Sequence, residues 1–182
     1  MRLSIAIATA LAAQICSVAG IAPDTRSAVK LCVEIGISDP WVVTRGEFIA
    51  KEIFAQIGIR LDWGHRAHCP EASGGGIVVH IGQGPAADVH PGALGYARVR
   101  EARIEVFFDR VLTSVEPLVV PDLLGHVLAH EIAHVLEGVD RHSGEGIMKA
   151  HWTSHDYQQM HPRPMQFAPE DVSLIRTAML GR

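Results

Sequence analysis

A chain of 182 residues that is 48% hydrophobic and 20% charged has the make-up of a single globular domain. It can bury about two thirds of its unfolded surface without staples. A formal charge of −4, with no run of Lys or Arg, excludes nucleic acid and anionic membrane surfaces from the expected partners. The eleven histidines, several of them clustered, are a first pointer to metal chemistry.

The chain starts positively at Met1-Arg2, runs almost wholly apolar from Leu3 to Ile15, and offers small residues at Ser17-Val18-Ala19. Residues 1–19 are therefore expected to be an export signal cleaved after Ala19, with one domain over residues 20–182. The apolar run is shorter than the ~20 residues of a membrane span. Bulky Ile15 before Cys16 argues against a lipid-anchored cysteine, so no membrane partner is expected after cleavage. No prodomain with a cysteine-based latency switch is visible between Ala19 and Lys30. In an oxidising compartment the remaining pair, Cys32 and Cys69, is expected to form a disulfide. It would close a 37-residue loop and add roughly 3–4 kcal/mol. Two separate buried thiols are the alternative.

Ala28 to Ile35 reads as a strand. Thr44 to Gln56 reads as a helix, with Phe48, Ile49, Ile53 and Phe54 on one face and Gly58 as its stop. Ile59 to Trp63 and Ile77 to Ile81 are further strands, separated by a polar, glycine-rich loop from His65 to Gly76. A second loop, Gly82 to Gly92, precedes a short segment, Ala93 to Arg98, and a strand, Ile104 to Phe108. The order predicts an α/β (α+β) fold, a mixed sheet with helices packed on it. A long helix follows from about Pro121 to Glu137. Pro121 suits its first turn, Asp122 faces the positive end of its dipole, and Gly138 fits the left-handed position just past its end.

On that helix stands His130-Glu131-Ile132-Ala133-His134. Residues four apart share a face and lie ~5–6 Å from each other, so two imidazoles can reach one ion at ~2.0–2.1 Å. Glu131, offset around the helix, is placed to reach a metal-bound water as general base rather than the metal. Beyond the helix, Gly138, His142 and Met148 follow in HEIAHVLEGVDRHSGEGIM. A helix that stops and turns back can bring a third ligand to the same ion.

This order of two helical histidines, a glycine, a third histidine and a methionine resembles the metzincin clan of zinc endopeptidases, the matrixins in particular. The segment Ala168-Pro169-Glu170-Asp171-Val172, opening a helix to Leu180, is similar to the way matrixin domains end. The likeness covers roughly the last third of the chain. It implies a zincin-like mixed sheet packed on the active-site helix, and a small C-terminal subdomain with a methionine turn at Gly146-Ile147-Met148 and a final helix. It also implies one catalytic Zn2+ held by His130, His134 and His142, with Glu131 catalytic.

The spacing departs from the clan's by one residue on each side of the glycine, so Asp140 stands where the third ligand usually does. Because the glycine has shifted too, the longer loop is expected to present His142. Asp140, and a downstream glutamate such as Glu170, remain the alternatives. His126 shares the face of His130 but is expected in the core or behind the ligands, since a fourth protein ligand would close the site to water. His80, His90 and Asp88, or His65 and His68, could hold a second ion, against the plainer reading of surface loops. His151-Trp152 could wall the substrate cleft or simply pack.

The substrate implied is a peptide or protein, bound by a monomer along an exposed antiparallel edge near Ala93-Leu94-Gly95-Tyr96-Ala97. Two further functions stay open: a degenerate, non-catalytic zinc-binding fold, and hydrolysis of another amide such as a peptidoglycan-type bond. Glu131 favours catalysis, because a structural zinc site has no use for that carboxylate.

Overall fold

The computed structural model of the protein describes residues 28–65, 76–84 and 91–181. The expected signal at 1–19, Cys69, His68, Asp88 and His90 lie outside the described residues.

Five strands form one sheet in the order β2-β1-β3-β5-β4. They are β1 (Ala28–Ile35), β2 (Arg60–His65), β3 (Ile77–Gly82), β4 (Gly95–Arg98) and β5 (Arg103–Phe107). Neighbouring pairs are parallel except β4 on β5, which is antiparallel. Alternation along the strands sends Leu31, Val33, Val79, Ile81, Ile104 and Val106 to one buried face. Lys30, Glu34, His80 and Glu105 take the other, more exposed face. β5 ends one residue before the expected Phe108, which instead opens a short helix, α2 (Phe108–Ser114).

Helix α1 spans Pro40–Ala55 and begins four residues before the expected Thr44. Asp39 caps it by accepting a hydrogen bond from the Val42 amide at 3.1 Å. Pro40 sits in the first turn, where its missing N–H costs nothing. Phe48 is not on the buried face with Ile49, Ile53 and Phe54, as the sequence reading had it. It is 48% exposed, because the buried stripe runs through Val42, Val43, Gly46, Ile49, Ala50 and Ile53, and one further residue turns the side chain ~100° away. The Arg45 guanidinium lies over its ring instead.

The long helix α3 (Val120–Glu137) is buried from Val120 to Leu136. It ends where Gly138 adopts φ +75° and donates its N–H to the His134 carbonyl at 3.0 Å. So deep a helix needs close neighbours, and glycines supply them. A Cβ at Gly125 would lie 2.6 Å from Ile49 Cβ and 2.9 Å from the Gly46 carbonyl oxygen, so α1 and α3 touch almost backbone to backbone. After α3 the chain forms a turn from Ser143 to Lys149, then α4 (Ser154–Met160) and α5 (Pro169–Leu180). Among the described residues no helix is long and apolar enough to cross a membrane.

Candidate metal centre

His130 and His134 project from the same face of α3, one turn apart, and their Nε2 atoms face each other at 3.0 Å. Two neutral imidazole nitrogens at that distance share either a proton or an ion. The third ring is His142, whose centroid lies 5.3 Å from that of His130 and 5.0 Å from that of His134. One ligand atom from each residue falls within 4.8 Å of the other two, the one such group among the described residues.

The outer ring nitrogens set the state of the inner ones. His130 Nδ1 donates to the Ile147 carbonyl at 2.9 Å, and His134 Nδ1 to the Val139 carbonyl at 3.3 Å. Each Nδ1 therefore carries the proton and each Nε2 turns a lone pair inward. Burial drives the His130 pKa down to about 3, helped by the neighbouring His134. The His134 pKa is lowered by burial and then by His142. Both rings are thus neutral, the form that binds a metal. A trio of imidazoles with one position left for solvent is the donor set of a catalytic zinc site, so these residues fit that ion.

Glu131 lies beside this cluster beneath β4. A Cβ at Gly95 would meet its Oε1 at 2.9 Å and its Cγ at 3.0 Å, so only a glycine lets the strand run this close to the carboxylate. Burial, then the nearby Asp140, raise the Glu131 carboxyl to about 8. A carboxyl held so far above its ordinary range is poised for proton transfer near neutral pH.

A cavity of about 750 Å³ opens over the cluster, walled by Gly95 and Tyr96 of β4 on one side and by Lys149, His151, Trp152 and Tyr157 on the other. Trp152 packs edge-on against His130, with centroids 5.6 Å apart. Met148 is fully buried in the turn whose Ile147 carbonyl holds His130. Gly146 in that turn has φ +72°, and a Cβ there would meet the Gln166 carbonyl oxygen at 2.6 Å.

Of the other residues weighed from sequence, Asp140 lines the same cavity but does not join the three-ligand cluster. Glu170 is an exposed first-turn residue of α5, 3.8 Å from Arg141. His126 is fully buried and uses both nitrogens: Nδ1 donates to the Asp122 carbonyl at 2.6 Å, and Nε2 accepts the Met165 amide at 3.0 Å. It ties α3 to the C-terminal segment and is no ligand. His80 and His65 stand near Glu34 and Glu47, at 3.9 and 3.8 Å, away from any ligand group of three. Sequence reasoning missed Tyr157 and Lys149 on the cavity wall. For Tyr157 a signal existed: Thr153 and Asp156 form a reciprocal capping box that starts α4.

Neither a protein-family model nor a curated protein matches the sequence. Among solved structures, the chain is similar to the crystal structure of archaemetzincin from Methanopyrus kandleri. The TM-score is 0.59 at 17% identity, covering 89% of this chain and all of that one. At such identity the likeness is one of fold, and the zincin-like mixed sheet with its helices is that fold.

Proposed function

We propose that the protein is an exported zinc-dependent endopeptidase, with His130, His134 and His142 as ligands and Glu131 as general base. The observation that carries this reading is the convergence of three imidazoles beside the buried Glu131 carboxyl, under an edge strand and in an open cavity. Zinc bound there would draw electron density from a peptide carbonyl and acidify a water molecule. Glu131 takes the proton from the attacking water at its carboxylate and can pass it to the leaving amine nitrogen. Among the described residues β4 pairs with β5 on one side only, so its other edge can hold an extended peptide by backbone hydrogen bonds. Gly146-Ile147-Met148 then plays the part of a methionine turn, an apolar floor whose Ile147 carbonyl orients His130.

Membership of the matrixins within the clan rests on the HEIAHVLEGVDRH and APEDV likeness. Export rests on residues 1–19, and the Cys32–Cys69 bridge on the oxidising compartment that export implies. We read the protein as a monomer acting on peptides or proteins.

Glu131→Gln tests the mechanism. The variant should keep zinc and fold but lose activity on a peptide library by ~10²–10⁴-fold, the usual worth of a general base. Activity within tenfold of wild type would remove Glu131 from that role. A wild-type protein that binds zinc yet cleaves neither peptides nor peptidoglycan-type amides would instead support the non-catalytic reading.

A further inference from the structure

His142 differs from its partners in one respect: it comes from a loop, not from a helix, and its residue is exposed. Something other than helix geometry must hold it in place. The residues on either side of it are both anchored to one carboxylate, thirty and twenty-eight residues further along the chain. Arg141 Nη2 and Ser143 Oγ each donate to Asp171 Oδ1, in both cases at 2.5 Å. Asp171 is fully buried in the first turn of α5.

The Arg141 guanidinium also reaches back to α3, with Nε 3.6 Å from Glu137 Oε2. Asp171, at 2.5 Å against 3.6 Å for Glu137, is the closer of its two anchors. Ser143 is fastened on its other side, its amide donating to the Met148 carbonyl at 2.7 Å. With Arg141 and Ser143 both held at Asp171, the ring between them packs against those of His130 and His134, at centroid distances of 5.3 and 5.0 Å.

We propose that Asp171 and Arg141 are positioning residues for the metal site, a latch from α5 that presets the third imidazole before metal arrives. This rests on the three-histidine reading of the site. The physical benefit is preorganisation: a ligand on a free loop must be ordered when the ion binds, whereas a latched one is ordered on folding. Neither residue belongs to the three-histidine cluster, so both act through His142.

The test is zinc affinity by chelator competition at low temperature, on apoproteins whose folded state is verified by circular dichroism. Arg141→Gln and Asp171→Asn should each weaken zinc by ~10–100-fold, the usual cost of losing a residue that orients a ligand. Arg141→Lys should recover part of the loss. If the latch works through His142, Arg141→Gln added to His142→Ala should weaken zinc no further than His142→Ala alone. Should Asp171→Asn fail to fold, the Arg141 variants carry the test, because Asp171 stays in place in them. Cobalt(II) loaded in place of zinc should show an altered visible spectrum in Arg141→Gln. Folded variants that bind zinc within twofold of wild type, even with lowered melting temperatures, would overturn the latch and leave a purely structural ion pair. A wild-type protein that binds no zinc would instead overturn the three-histidine reading.

Discussion

At the scale of single residues the chemistry divides between groups placed by a helix and groups placed by a loop. His130, Glu131 and His134 could be assigned from their spacing alone, because helix periodicity is local and sets the face each one occupies. His142 could not, since the glycine is displaced by one residue and the third ligand by two from the clan's usual pattern. The structure puts the His142 ring against the other two and leaves Asp140 on the cavity wall, close enough to raise the Glu131 pKa. His142→Ala should therefore weaken zinc by more than the ~10–100-fold that loss of a supporting residue costs, and Asp140→Ala by no more than that range. Competition titrations with a chelator of known affinity would rank the two. The opposite order would make Asp140 the third ligand.

Among the elements, the contact of α1 with α3 decides where the metal helix lies. Gly125 and Gly46 let the two helices meet where any side chain would intervene. Gly125→Ala is a sharp probe, because helix propensity and packing oppose each other there. Alanine in a helix interior gains ~1 kcal/mol over glycine. The added methyl, however, would sit 2.6 Å from Ile49 Cβ and 2.9 Å from the Gly46 carbonyl oxygen, and a backbone atom cannot step aside as a side-chain tip can. With overpacking costing ~1–3 kcal/mol, the net expectation is a loss of up to about 2 kcal/mol in urea unfolding, and a gain would mean that α1 can slide away freely. The elements themselves were mostly legible, with particular failures. The start of α1 was missed because Asp39-Pro40 was not read as a cap and first turn, and α4 because its polar sequence shows no apolar period. Phe48 was placed inside because an apolar residue next to Ile49 looks like part of one stripe, although it lies more than a quarter of a turn beyond it.

Over the whole molecule, the proposed ion joins the deepest helix to the chain that follows it. Because the three imidazoles converge only in the folded state, a metal bound there adds its binding energy to folding, ~2.7 kcal/mol at a hundredfold excess over Kd. Chelation should lower the melting temperature by roughly 5–10 °C for a domain of this size, and added zinc should restore it; an unchanged melting curve would place no metal at the site. The sequence by itself determined the strand alternation, the long helix, its glycine stop and the pair of histidines with the glutamate between them. Each of these follows from periods of two or 3.6 residues and from local dihedral preference, which act over a few neighbours. The resemblance already implied an antiparallel edge near Ala93–Ala97, but only the tertiary structure decided that Gly95 runs against the Glu131 carboxyl and that Tyr157 and Lys149 wall the cavity. It alone also brought Asp171 to Arg141, across thirty residues. Those contacts join residues distant in the chain, and their energies come from burial and charge pairing in the folded core, which no local period encodes.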